Sequence, residues 1–152
     1  MDLNSEIPVL QMVIRLAAAA GFALLLGLER ELRGKQAGLR THMLVSLGSA
    51  GFMIMGLHVL MATATGDPSA RIDPTRIIEG VIGGVGFLGA GSIIQSGGKI
   101  HGITTGASIW AVGAIGLACG IGDLMLAALL TAFVFATVVV IGFFEKEVLD
   151  DE

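Results

Sequence analysis

Apolar residues fall into five long runs along the chain, and short polar segments separate these runs. Each run is long enough to cross a bilayer as a helix, which takes about 20 apolar residues. The pattern predicts an all-α polytopic membrane protein, a bundle of five transmembrane helices that forms a single membrane domain over residues 1–152. The predicted spans are about residues 7–28, 42–61, 77–94, 103–121 and 124–144.

The third and fourth runs are rich in small residues. On a helical wheel of about 100° per residue, the third run places most of its glycines on one side, opposite Val81, Val85 and Leu88. Small residues allow the close backbone approach on which helix association in lipid depends. We therefore expect these two helices to be the innermost of the bundle. The expected packing positions are Gly80, Gly84, Gly86, Gly89 (the exception to the one-sided pattern), Gly91, Gly106 and Gly113.

Composition agrees with a membrane protein. Hydrophobic residues make up 54% of the chain and charged residues 14%, with a mean hydropathy of +0.85. The net charge is −4 and no basic stripe is present, so nothing favours nucleic acid as a partner. The single cysteine, Cys119, cannot form an internal disulfide. The N-terminus is acidic where a signal peptide is basic, so we expect the first span to be retained.

The distribution of positive residues predicts the orientation of the bundle. If the spans alternate, one side of the membrane holds Arg30, Arg33, Lys35, Arg40, Lys99 and Lys146, and the other holds only Arg71 and Arg76. Positive residues in short loops favour the cytoplasmic side. The expected orientation places the N-terminus outside and the C-terminus in the cytoplasm.

The first candidate site is the segment that joins the first two spans, GLERELRGKQAGLRTH. It carries charges of both signs where the first span ends, and the candidate residues are Glu29, Arg30, Arg33, Arg40 and Thr41. One interpretation is an interfacial hairpin whose charges only fix the topology. The other is a functional cytoplasmic loop, and the density of both signs leaves the two equally favoured.

Three motifs carry a family resemblance: GLERELRGKQAGLRTHMLVSLGSA, GGVGFLGAGSII and GITTGASIWAVGAIGLACG, in this order. Together they resemble the membrane domain of the MgtC/SapB family, from about Ile14 to Phe144. The resemblance implies an inner-membrane protein linked to magnesium limitation, acid stress or virulence, and in the best-known members a regulator of the rotary ATP synthase. The name magnesium transporter, which members often carry, is largely historical. Longer members add a C-terminal soluble domain, which is not found in these 152 residues.

Two further motifs have simple structural explanations. Gly84, Gly86 and Gly89 match G-x-G-x-x-G, but they lie inside an apolar span without the strand and acidic residue of a dinucleotide site. Helix packing explains them better. Thr104 and Thr105 open the fourth span, where hydroxyls can cap free N–H groups. We favour capping, and the alternative is an anion site that these threonines form with Arg40.

Metal and catalytic motifs are not found in the sequence. His42, His58 and His101 are far apart, with no H-x-x-x-H or C-x-x-C spacing. There is also no P-loop and no Ser-His-Asp arrangement. We expect neither an enzyme nor a bound cofactor or metal.

Charged residues inside the spans suggest one buried ion pair. From Leu16 to Leu28 a helix covers only about 20 Å, so the first span must contain Arg15. Glu79, near the start of the third span, and His58, near the end of the second, lie at a similar depth. We expect Arg15 to approach Glu79, with His58 as a third member. The alternative is that Arg15 snorkels to lipid headgroups and Glu79 is solvated.

Three functions remain open. The leading hypothesis is a regulator that contacts another membrane protein through its helices. The first alternative is a small transporter or channel for magnesium, another cation or protons, which needs polar groups across the bilayer. The second is an oligomeric scaffold. In each case we expect a homo-oligomer, with a dimer favoured, through Gly106 and Gly113 or through Gly80 and Gly84.

Overall fold

The computed structural model describes residues 7–64 and 73–142. It contains five helices: α1 Val9–Leu32, α2 Leu39–Ala64, α3 Thr75–Gly91, α4 Ile103–Ile121 and α5 Leu124–Ala136, which continues as a π-helical turn over Thr137–Ile141. Four helical segments are long and apolar enough to span a membrane, namely Val9–Leu32, Leu39–Met61, Ile103–Ile121 and Leu124–Ile141. The predicted five-helix membrane architecture is confirmed. Arg71 and Lys146, which enter the orientation argument, lie outside the described residues.

A short antiparallel hairpin joins α3 to α4, where the sequence predicted the end of the third span and a plain loop. Its strands are β1 Ile94–Ser96 and β2 Lys99–His101. The turn consists of Gly97 and Gly98, with φ of 60° and 77°. Two consecutive positive φ values are what a tight two-residue hairpin turn requires, and glycine adopts them without steric cost.

Helix α4 is the centre of the bundle, as expected. It packs against α1, α2, α3 and α5, and 12 of its 19 residues are buried. The main core is formed by small and branched side chains from four helices, α1, α2, α4 and α5. Its fully buried members include Ala19, Ala23, Ala50, Val112, Ile115, Cys119 and Ala127.

Helix α3 is peripheral, which corrects the expectation that it is innermost. It packs against α4 and α2 only along its Val81, Val85 and Gly89 side. The predicted small-residue side makes no close helix contact: a Cβ added at Gly80, Gly84, Gly86 or Gly91 would meet nothing within 4 Å, and Gly80 and Gly84 line an open groove between α3 and α2. Val85 faces inward and fills the depression that Gly113 of α4 leaves, since a Cβ at Gly113 would lie 3.2 Å from Val85 Cγ1.

Glycines of α4 provide the closest helix contacts. A Cβ at Gly106 would lie 2.8 Å from the carbonyl oxygen of Gly89, and a Cβ at Gly89 would lie 2.9 Å from that of Gly106. Further along α4, Gly116 lies against the backbone of Ser46, and Gly120 against Ala50. These approaches leave no room for a methyl group. The glycines of α4 therefore pack against other helices of the same chain.

Candidate functional site

A group of buried polar side chains lies where α1 ends and where α2 and α4 begin. Its members are Glu29 and Arg30 in the last turns of α1, His42 near the start of α2, and Thr105 and Ser108 near the start of α4. We call these five residues the polar cluster. Arg30, His42, Thr105 and Ser108 are each less than 5% exposed. Buried polar groups are costly unless they are paired, so each contact in the cluster matters for stability.

Arg30 connects α1 to α4. Its Nη2 donates to Thr105 Oγ1 at 3.1 Å, and its Nη1 lies 3.9 Å from Glu29 Oε2. The Nε atom is buried and has no hydrogen-bond partner. The guanidinium is therefore held by one hydrogen bond to a hydroxyl and by the charge of one carboxylate, and its buried Nε–H is unused.

Glu29 supplies the negative charge of the cluster. Its side chain is 9% exposed, and its Oε1 lies 2.6 Å from Arg33 Nε. At this distance the two charges attract strongly. The Nε–H of Arg33 does not point at the oxygen, so both carboxylate oxygens of Glu29 remain without a hydrogen bond. Two arginines thus neutralise one buried carboxylate by charge rather than by hydrogen bonding.

His42 connects α2 to α4 and is fully buried. Its Nδ1 lies 2.8 Å from the carbonyl oxygen of Gly38, and its Nε2 lies 3.1 Å from Ser108 Oγ. Ser108 Oγ also donates to the carbonyl oxygen of Thr105 at 2.8 Å. Gly27 of α1 makes room for this side chain, since a Cβ there would lie 3.2 Å from His42 Cβ.

The predicted loop residues separate into two groups. Glu29 and Arg30 belong to the polar cluster, and Arg33 lies at its edge with about a third of its side chain exposed. Arg40 is exposed and Thr41 is half-buried. Neither residue joins the cluster, so the structure brings together only part of the predicted set.

Glu31, which the sequence did not single out, determines how the chain enters α2. Its Oε2 accepts a hydrogen bond from Leu39 N at 2.9 Å, and this satisfies one of the free N–H groups at the start of the helix. Gly38 leaves the space that the Glu31 carboxylate occupies. The end of α1 thus caps the beginning of α2.

The threonine expectation needs correction. The residue that precedes α4 is Gly102, with φ of 90°, and no side chain caps this helix. Thr105 is buried and accepts from Arg30, whereas Thr104 is exposed. The hydroxyl of Thr105 binds the guanidinium because α1 ends beside the first turn of α4. Thr104, Thr105 and Arg40 therefore do not form a common anion site.

The predicted Arg15–Glu79 pair is wrong. Arg15 Nη1 donates to the carbonyl oxygen of Gly120 at 2.8 Å, at the end of α4 where carbonyls lack helical partners. Glu79 is exposed on α3 and forms no ion pair within residues 7–64 and 73–142. Arg15 meets α4 because α1 packs against α4, whereas α3 lies elsewhere on the bundle. His58 is half-buried, and its Nε2 has no hydrogen-bond partner.

Sequence reasoning missed His42 and Ser108 as site residues. A signal for His42 exists: His42, Ser46 and Ser49 recur at helical spacing within an apolar run, and all three are buried. The hydroxyl of Ser46 donates to the carbonyl oxygen of Ala19.

Among the described residues, no group of three or more His, Cys, Asp or Glu side chains has an arrangement that could hold a metal ion.

Comparisons with known proteins place this bundle in a family. The MgtC family model matches residues 16–147. The chain is 45% identical over 112 residues to the "Putative magnesium transporter YhiD" of Escherichia coli K12, covering 74% of this chain and 52% of that protein. It is 39% identical over 112 residues to "Protein MgtC" of Brucella abortus (74% and 43%). It is 37% identical over 111 residues to "Protein MgtC" of Salmonella typhimurium LT2 (73% and 44%).

The chain spans about half the length of these curated relatives. No solved structure matches it. The family model extends from α1 past the end of α5 and so includes every residue of the polar cluster. This chain therefore belongs to the MgtC family.

Proposed function

We propose that this chain is the membrane domain of a bacterial inner-membrane regulator that acts in magnesium limitation or acid stress. It acts through helix contacts with another membrane protein, such as the rotary ATP synthase. The names of its relatives, MgtC and putative magnesium transporter YhiD, support the link to magnesium.

The observation that carries this proposal is the separation of the buried polar groups. The polar cluster lies at one end of α4 and Arg15 at the other. Between them, the core of the described bundle is filled by apolar side chains such as Leu26, Val112 and Ile115. The serine and threonine hydroxyls at intermediate depth donate to backbone carbonyls. A transporter needs a polar route across the bilayer, and this packing favours a regulator instead.

The alternative function is transport of magnesium, another cation or protons. One observation favours it: the Glu29 carboxylate is buried with both oxygens free of hydrogen bonds. Two arginines nearby oppose that role, because they repel cations from the same place.

Liposome reconstitution distinguishes the two functions. Purified protein is placed in vesicles loaded with a magnesium-sensitive or a pH-sensitive dye, and flux is compared with that of protein-free vesicles. We expect no difference. Saturable magnesium or proton flux would overturn the regulator proposal in favour of transport.

A complementation assay tests whether the charged loop matters for activity. We expect the Glu29→Gln, Arg40→Gln double variant to insert normally, because Arg30, Arg33 and Lys35 still mark the cytoplasmic side. Growth at low magnesium or low pH should be lost. The control is Lys35→Gln, an exposed residue of the same loop. A double variant that grows like the parent contradicts a functional role for the loop.

We also propose a homo-oligomer, with a dimer favoured. Gly106 and Gly113 pack against α3 of the same chain and are not free for contacts with a second copy. Of the two predicted glycine pairs, Gly80 and Gly84 therefore stay available for the interface, because a Cβ at either position would meet nothing within 4 Å. The bundle is oriented with its N-terminus outside and its polar cluster towards the cytoplasm.

A further inference from the structure

The proton arrangement around His42 is restricted by its two partners. A carbonyl oxygen can only accept a hydrogen bond, so the contact between His42 Nδ1 and the Gly38 carbonyl requires a proton on Nδ1. The remaining freedom lies at Nε2, which faces Ser108 Oγ at 3.1 Å. Nε2 accepts when the ring is neutral and donates when the ring is an imidazolium.

Ser108 has a single hydroxyl hydrogen and two candidate acceptors. These are the Thr105 carbonyl at 2.8 Å and, when it is unprotonated, His42 Nε2. With a neutral ring, Ser108 donates to Nε2, because this buried acceptor otherwise has no donor, and the Thr105 carbonyl loses this bond. With an imidazolium, Nε2–H donates to Ser108 Oγ, and Ser108 donates to Thr105. Each protonation state of His42 thus permits one hydrogen-bond arrangement.

We infer that His42 is a proton-responsive link between α2 and α4, in which binding one proton at Nε2 turns the Ser108 hydroxyl from α2 towards the backbone of α4. The step balances simply: one proton is taken up from solvent, and no other group changes its charge. The link extends to α1, because Thr105 Oγ1 accepts from Arg30 Nη2. The junction of three helices therefore has two states that differ by one proton.

The charges that face His42 come from α1. They are the Arg30 guanidinium and the Glu29 carboxylate, whose signs are opposite. The residues of α4 at this place, Thr105 and Ser108, are uncharged, and the partner within the α1–α2 connection is the backbone of Gly38. Because His42 is fully buried, solvent screens these interactions little. Removing the Glu29 charge should therefore disfavour the imidazolium.

Nitrogen NMR of the full chain with ¹⁵N-labelled histidine, in lipid nanodiscs, tests the first half of the inference. His42→Gln identifies the signals of His42 among the three histidines. At high pH we expect the Nδ1–H tautomer, and on acidification we expect both nitrogens to become protonated while the protein stays folded. An Nε2–H tautomer, or a ring that does not titrate between pH 4 and pH 9, overturns the inference.

Two variants test the coupling to Ser108 and to the charge of Glu29. Ser108→Ala removes the acceptor for Nε2–H, and because hydrogen bonds to charged groups are the stronger ones, proton binding should weaken about tenfold, a shift of about one pH unit downward. The control is Ser49→Ala, a buried serine that bonds Val45 instead. Glu29→Gln should also lower the midpoint, whereas Glu79→Gln, which changes an exposed carboxylate on α3, should not. If Ser108→Ala does not fold, the Glu29→Gln shift and the tautomer of the parent protein still decide. Unchanged midpoints in the folded variants would overturn the coupling.

Discussion

At the residue scale, the buried polar groups of this bundle are stabilised mainly by uncharged partners. Arg30 bonds a threonine hydroxyl, His42 contacts a carbonyl and a serine, and Arg15 bonds a carbonyl at a helix end. Within the described residues, the ion pairs involve only Glu29 with its neighbours Arg30 and Arg33. Hydrogen bonds to charged groups contribute about 1.5–3 kcal/mol each, so single changes at these positions should be measurable.

Arg15→Met should destabilise the protein by about 1.5–3 kcal/mol, because it removes a charged donor from the Gly120 carbonyl while keeping most of the apolar stem. Thermal unfolding in detergent measures the effect. The control is Glu79→Gln, at an exposed position, which should change little. The two changes should be additive within about 0.5 kcal/mol. A clearly non-additive double variant would restore the Arg15–Glu79 pair.

Thr105→Val should destabilise by a similar amount, about 1.5–3 kcal/mol, since it leaves the buried Arg30 Nη2 without its acceptor. Thr105→Ser keeps the oxygen and should retain much of the stability. The matched control is Thr104→Val, the exposed neighbour in the same helical turn. Equal losses at both threonines would contradict the assignment of Thr105 to the polar cluster.

At the element scale, the packing of α3 and α4 depends on one close approach of two backbones. Gly89 and Gly106 lie so near each other that neither position accommodates a methyl group. The other glycines of α3 have no such constraint. Gly89 and Gly106 are therefore required for the packing of α3 on α4, whereas the other glycines of α3 are not.

Gly106→Ala should separate α3 from α4 and destabilise the protein by about 1–3 kcal/mol, the usual cost of overpacking. Gly83→Ala is the control, because its added methyl group would meet nothing within 4 Å. Thermal unfolding of both variants in the same detergent compares them. If Gly83→Ala is the more harmful of the two, the packing described for α3 is contradicted.

At the scale of the whole molecule, the proposed dimer uses Gly80 and Gly84 of α3, the predicted glycine pair that packing within the chain leaves open. The Gly80→Leu, Gly84→Leu double variant should weaken association and leave the monomer folded, because both positions are open in the single chain. Sedimentation equilibrium in detergent measures the association. A parent protein that is monomeric at all concentrations would contradict the dimer.

The orientation of the bundle can be measured by cysteine labelling in intact cells. Cys119 is fully buried and should give little background. Ser96→Cys in the hairpin should be protected from a membrane-impermeant maleimide, whereas Arg76→Cys at the start of α3 should react. The opposite pattern would place the polar cluster outside the cell.

The sequence by itself determined the five helices and their membrane setting, because apolar runs of bilayer length admit few other structures. It also indicated that α4 is central and singled out three members of the polar cluster. Glu29 and Arg30 were conspicuous as charges at the end of an apolar run, and Thr105 as a hydroxyl at the start of another, although it was expected to cap α4. The fourth span was predicted with the bounds that α4 has, Ile103–Ile121.

Only the tertiary structure decided which side of α3 faces the bundle and which partner each buried polar group finds. Periodicity places Gly80 and Val81 on different sides of a helix but does not say which side meets a neighbour. Depth alone put Arg15 near Glu79, yet the contact goes to Gly120 because α1 lies against α4. His42 and Ser108 are 66 residues apart, and only the packing of α2 on α4 joins them.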